Sequence, residues 1–301
     1  MKRYVLAVLL TGAIAAGCQS LAPMPTESMQ VKQMRVNGVD LAYVEEGSGP
    51  TVLFVHGASG DWRTWDGLRP YVSSKYRFVS LSRRYHYPNT WTDDGKNYSF
   101  DQHVEDVTAF IRGLNTGRVH LVGNSYSGRL AAVLALKYPE LLRSVVIGEP
   151  GIISPSSDDG KAALAAIGKD FGKASAAAKS GDDRQSAIFV ANAVLDDPDG
   201  FSKMVPLRQQ RWLDNAKTMG PMFGGPSSAP VTCDQLKAMK VPALAIRGEL
   251  TRASFRYGHD ALMGCLPQTT EELIFPNGNH FWAVDNSAGA ARAILTFIAK
   301  H

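Results

Sequence analysis

Long runs of one charge are missing from this sequence. No stretch of five or more lysines and arginines occurs, and a net charge of +4 on 301 residues counts Lys2 and Arg3 at the extreme N-terminus. A nucleic-acid-binding footprint is therefore not expected. Cysteine is scarce, with three in all, and no His, Cys or carboxylate pair stands at zinc-ligand spacing, which argues against a metal site. No repeat of fixed period is visible. The most apolar stretch, Val5 to Ala16, is too short to span a bilayer comfortably. What remains is an ordinary globular composition, 45% hydrophobic and 20% charged, with length for one large domain and an insertion, or for two smaller domains.

The first residues, "MKRYVLAVLLTGAIAAGCQS", combine a basic start, an apolar stretch and small residues directly before Cys18. They resemble a bacterial lipoprotein signal, which implies removal of 1–17, acylation of Cys18 and anchoring in the cell envelope. Ala15 stands where leucine is commoner, and the alternative is an ordinary secretory signal cut near Ala15 or Ala22. Gln19 after the cysteine is similar to enterobacterial lipoproteins of the outer membrane facing the periplasm. With Cys18 acylated, Cys233 and Cys265 form an even pair in an oxidising compartment, where a disulfide is expected in preference to two buried thiols.

Residues 18–33 hold two prolines and little periodicity, and read as a tether. From Met34 the pattern changes. "MRVNGVDLAYVEEG" predicts a hairpin turning at Asn37-Gly38, "TVLFVHG", "YRFVSLS", "RVHLVGNS" and "RSVVIGEPG" predict buried strands, and helical spacing lies between them. Strand alternating with helix predicts an α/β class with a mostly parallel sheet covered on both faces. Residues 152–232 carry no strand-like run and predict a helical cap, with "GPMFGGPSSAP" as loop, between a core of 34–151 and its continuation at 233–301.

The stretch "LVGNSYSGRL" holds the first candidate for chemistry. Gly123 lies two residues before Ser125, and Ser127 and Gly128 lie two and three after it. Small residues at these positions permit the sharp strand-to-helix turn that exposes a nucleophile. The plain alternative is a Gly/Ser-rich corner without a catalytic role. Two further motifs tip the balance, "FVHGASGDWRTW" and "NGNH". Together, and in this order, these segments resemble the α/β-hydrolase superfamily from about Met34 to the C-terminus. The resemblance implies an α/β-hydrolase fold with Ser125 as nucleophile, His280 as proton carrier, and the backbone N–H groups of Ala58 and Tyr126 as the oxyanion hole. It implies no cofactor.

The acid departs from the pattern. Thr251 occupies its usual position and cannot carry negative charge. Glu149, ending "VVIGE", is the first choice of replacement, and Glu249, after Gly248, is the alternate. Among the other histidines, His56 reads as structural and His120 as packing. His103 and His259 are expected to be solvated, and His86 sits in a loop made bulky by Tyr85 and Tyr87. Trp62, Trp65, Trp91, Trp212, Met219, Met222 and Phe223 are candidates to line an apolar pocket, or to be core. The function implied is hydrolysis of a small or medium carboxylic ester through an acyl-enzyme. The alternatives are a non-catalytic binding or scaffold protein on this fold, or the same triad used for amide, C–C, acyl-transfer or perhydrolysis chemistry.

Overall fold

The computed structural model describes residues 29–301, so the signal stretch and Cys18 lie outside the described residues. Eight strands form one sheet: β1 (Lys32–Val36), β2 (Val39–Glu46), β3 (Thr51–Val55), β4 (Arg77–Leu81), β5 (Val119–Asn124), β6 (Leu142–Gly148), β7 (Ala243–Gly248) and β8 (Glu271–Phe275). Their spatial order is β1-β2-β4-β3-β5-β6-β7-β8. β1, β2 and β4 pair antiparallel and all later neighbours pair parallel. The hairpin turns at Asn37-Gly38 with both residues at positive φ, which suits the twist of the flanking strands. β1 begins at Lys32, so the last two residues read as tether belong to the sheet instead: Lys32 pairs with Tyr43 and its amine bonds Glu45.

β3 and β7 are buried along their whole length, as unbroken apolar runs such as "TVLFV" require when both faces are covered. Covering helices include α1 (Arg69–Val72), α2 (Phe100–Gly113) and α3 (Tyr126–Lys137). Val104, Val107, Phe110 and Ile111 of α2 recur at helical spacing and are buried in the main core. Asp106 of the same helix bonds Arg84 through both carboxylate oxygens, at 2.7 and 2.8 Å, and accepts from Asn37, so it ties the hairpin to α2.

Between β6 and β7 the chain forms α4 (Asp158–Lys179), α5 (Asp183–Leu195), α6 (Pro206–Leu213) and α7 (Met219–Gly224). The alanine-rich stretch "GKASAAAK" ends the 22-residue α4, as the helix propensity of alanine favours. "GPMFG" was expected as loop and instead belongs to α7, where Met219 is buried among Ala174, Ala187 and Val190. Asn215 ties these helices to the loops after β3 and β4: its amide donates to Asp61 at 2.8 Å and its oxygen accepts the Tyr87 N–H at 2.8 Å.

The remaining helices are α8 (Cys233–Lys237), α9 (Ala253–Met263), α10 (Trp282–Asp285) and α11 (Ser287–Ile298). Cys233 opens α8, Cys265 follows α9, and the two are joined as a disulfide with Cα atoms 4.8 Å apart. Among the described residues, no helix is long and apolar enough to cross a membrane. Two histidines expected in solvent are buried. His103 contacts Arg83 and Tyr126, and His259 bonds Glu272 at 2.9 Å; each lies on the inward face of its helix.

Candidate active site

Ser125 sits between β5 and α3 at φ 59°, ψ −123°, a conformation costly for a side chain with a Cβ, of order 1–3 kcal/mol. The surroundings impose it. A methyl on Gly123 would lie 2.1 Å from the Ser127 carbonyl oxygen, and one on Gly128 would lie 2.2 Å from that of Gly148, so only glycine lets the helix fold back onto the strand. Ser127 donates its hydroxyl to the His56 carbonyl, and the Ser125 N–H bonds the Gly148 carbonyl at 2.8 Å.

The parallel register sets the carboxyl ends of β3, β5, β6 and β7 side by side, with Asn124 opposite Gly148 and Gly148 opposite Ile246. Ligands of open α/β sheets bind at this end. From β3 comes the loop carrying Gly57 and Ala58; a methyl on Gly57 would stand 3.5 Å from Ser125 Cβ. Tyr126 is the first residue of α3, so its N–H has no partner within the helix. Neither that N–H nor the N–H of Ala58 finds a protein acceptor among the described residues.

From the end of β6 comes Glu149, at φ 37° and 1% exposed. One oxygen accepts the Gly248 N–H at 2.7 Å, and the other accepts the Thr251 hydroxyl at 2.9 Å and faces His280 Nδ1. A carboxylate on Nδ1 fixes the tautomer with hydrogen there and leaves Nε2 as the basic nitrogen. Phe255 stacks on the imidazole with centroids 4.1 Å apart. Asn124 locks the loop below it, donating to the His280 carbonyl at 3.2 Å and accepting the Trp282 indole N–H at 3.1 Å. Glu249 does not reach this group: it is exposed and accepts the Asn277 N–H at 2.9 Å. Thr251, noted in the sequence only as a missing acid, is a donor to Glu149. Asn124, Phe255 and Trp282 went unnoticed there, although Asn124 adjoins the serine in the motif itself.

Ser125 and His280 line one cavity of about 550 Å³. Its walls are largely apolar: Trp65 and Phe281 from the core side, Val190, Met204, Leu207 and Trp212 from the α5–α6 side. Trp65 and Trp212 therefore border it. Trp62, Trp91, Met219, Met222 and Phe223 do not, and Trp91 instead packs on Tyr85 and bonds its carbonyl. His56, His86 and His103 lie behind the Gly57 loop. Burial, and then the nearby Arg83, pushes all three well below the ordinary histidine value, so they are neutral. Among the described residues, no group of three or more His, Cys, Asp or Glu side chains could hold a metal ion.

This arrangement of sheet, elbow and cavity is that of the alpha/beta hydrolase family, whose profile matches residues 52–293, and the chain belongs to that family. Among curated relatives, 2-(acetamidomethylene)succinate hydrolase of Mesorhizobium japonicum is 30% identical over 115 residues, 38% of this chain and 41% of that one. Fluoroacetate dehalogenase of a Burkholderia species is 28% identical over 124 residues, 40% of this chain and 41% of that one. The chain thus spans about two-fifths of the length of these relatives. Solved structures agree over most of the chain. Bromoperoxidase from Bacillus anthracis matches with TM-score 0.74 at 17% identity, covering 90% of this chain and all of that one. Carboxylesterase CesB (YbfK) from Bacillus subtilis matches with TM-score 0.72 at 15% identity, covering 91% and 92%. At such identities the likeness speaks for the fold.

Proposed function

We propose that this protein is a serine hydrolase that cleaves a small or medium carboxylic ester through an acyl-enzyme on Ser125. The observation that carries the reading is the buried Glu149–His280 pair opening on the cavity that Ser125 also lines. Ser125 Oγ attacks the ester carbonyl carbon and its proton passes to His280 Nε2. The oxyanion is held by the N–H groups of Ala58 and Tyr126, a contribution of several kcal/mol in enzymes of this kind. Collapse expels the alcohol, which takes the proton from His280, and water repeats the sequence in reverse to release the acid. Glu149 orients His280 and stabilises the imidazolium. No cofactor enters the reaction, and the partner is a small molecule. The apolar walls and the cavity volume favour an acyl or alcohol group of modest length. Among the relatives, the names run from hydrolase to dehalogenase; a serine rather than an aspartate at 125 favours acyl chemistry here.

The same reading includes export and anchoring through acylated Cys18, supported by the N-terminal pattern and by a disulfide that suits an oxidising compartment. A Cys18→Ala form that is still processed and membrane-bound with an acylated N-terminus overturns the anchoring. For the chemistry, p-nitrophenyl esters of two to twelve carbons, with product analysis, are the test. Turnover by wild type that vanishes in Ser125→Ala is expected. Turnover that survives the substitution, or cleavage of amides in preference to every ester, contradicts the reading.

A further inference from the structure

Arg83 is 1% exposed and, unlike its neighbour Arg84, has no carboxylate within salt-bridge distance among the described residues. Burying an unpaired guanidinium is costly, so its contacts are informative. Nη2 donates to the Gly57 carbonyl at 2.8 Å, and Nη1 contacts His103 Nδ1 at 2.9 Å. The guanidinium carbon lies 4.2 Å from the centre of the Tyr126 ring, and the Arg83 N–H donates to His56 Nε2 at 2.9 Å.

These contacts converge on one object. The Gly57 carbonyl belongs to the peptide whose nitrogen is Ala58 N, one proposed oxyanion donor; Tyr126 carries the other. The titratable side chains that face the guanidinium, His56, His86, His103, Tyr98 and Tyr126, are neutral. Burial, then Arg83 itself, keeps His56, His86 and His103 unprotonated, and burial raises the Tyr98 and Tyr126 phenols far above neutral pH. A His103 Nδ1 that accepts from Arg83 carries its hydrogen on Nε2, which fixes its tautomer. Among the described residues, the buried positive charge therefore has no carboxylate to answer it.

We propose that Arg83 is a positioning residue for the oxyanion hole. It clamps the Gly57–Ala58 peptide and the Tyr126 ring in one orientation. Its bond to the Gly57 carbonyl polarises that peptide so that the Ala58 N–H is a stronger donor, and its charge favours the oxyanion over the neutral ester. The effect belongs to the transition state rather than to substrate binding. This rests on the serine-hydrolase reading above.

The test compares full-length wild type, Arg83→Lys and Arg83→Gln on p-nitrophenyl butyrate. Inhibition by an alkyl trifluoromethyl ketone, whose adduct with Ser125 carries an oxyanion, is measured alongside, with circular dichroism as the check on folding. Arg83→Gln should lower kcat roughly 10- to 100-fold with KM changed less than about threefold, and should lose a similar factor in ketone affinity. Arg83→Lys, which keeps the charge and loses the fork, should fall between. Folded Arg83→Gln with wild-type kcat and ketone affinity overturns the proposal. So does a loss that merely tracks the folded fraction while ketone affinity per active site is unchanged. If Arg83→Gln does not fold, His103→Gln removes the group that fixes Nη1. It should lower ketone affinity by about threefold, roughly half of one hydrogen bond's usual worth, and an unchanged affinity again overturns the proposal. A wild type that takes no fluorophosphonate on Ser125 sinks the serine-hydrolase reading, and this inference with it. A labelled wild type with an unaffected Arg83→Gln sinks this inference alone.

Discussion

His280 and the group His56, His86 and His103 are equally buried, yet they have different neighbours. His280 faces the Glu149 carboxylate; the other three face carbonyls, a tyrosine and an arginine. Burial alone disfavours the imidazolium, so a histidine meant to carry a proton needs an anion beside it. The group of three lacks one and stays neutral, which makes its members fixed donors and acceptors. His56 shows this use: its Nδ1 reaches the Gly57 carbonyl at 2.8 Å and its Nε2 accepts from Arg83. One side of the cavity thus holds a histidine paired with a carboxylate, and behind the loop after β3 lie histidines that are neutral and fixed by hydrogen bonds.

The sharpest way to break this contrast is to remove the anion. Glu149→Gln should lower kcat roughly 10³- to 10⁴-fold, while Glu249→Gln stays within about twofold of wild type. Equal effects in the two variants would show that the pairing at His280 has no special role. A smaller effect, on stability, is expected from the neutral group. Its pKa values are depressed in the folded state, so the unfolded chain binds more protons in acid. Stability should be undiminished above about pH 6.5 and fall below it, by up to about 1.4 kcal/mol per pH unit for each histidine that stays neutral. His120, pushed down to about 4 by burial, adds to this slope until that pH is reached. Urea denaturation between pH 7 and 5 measures it, and replacing His103 by glutamine should flatten the slope by one histidine's share. The smallest effect should come from Thr251→Val, which takes one hydrogen bond from Glu149. A fall in kcat of about tenfold is expected, with no change in the exposed Glu249 region.

Much of this was legible in the sequence, for identifiable reasons. Buried parallel strands are unbroken apolar runs, and the elbow needs small residues at Gly123, Ser127 and Gly128, so both are local signals. Glu149 was preferred over Glu249 because it ends the strand after the nucleophile helix, and that is the carboxylate the structure sets against His280. What was not legible depends on burial that only packing creates. His103 and His259 sit on helices with polar neighbours and read as solvated, yet each turns inward. Thr251 looked like a loss because a hydroxyl carries no charge; its worth as a donor depends on a glutamate 102 residues away in the chain. The walls of the cavity were least readable. Trp62 and Trp65 differ by three positions in one short turn, and only Trp65 faces it.

The central claim is that Ser125 is an activated nucleophile. It is tested most directly by intact-mass spectrometry of the full chain after treatment with a fluorophosphonate, beside a Ser125→Ala control. A single adduct on the wild type, absent from the control, is the predicted result. A folded wild type that takes no adduct, or a control labelled equally, would contradict it.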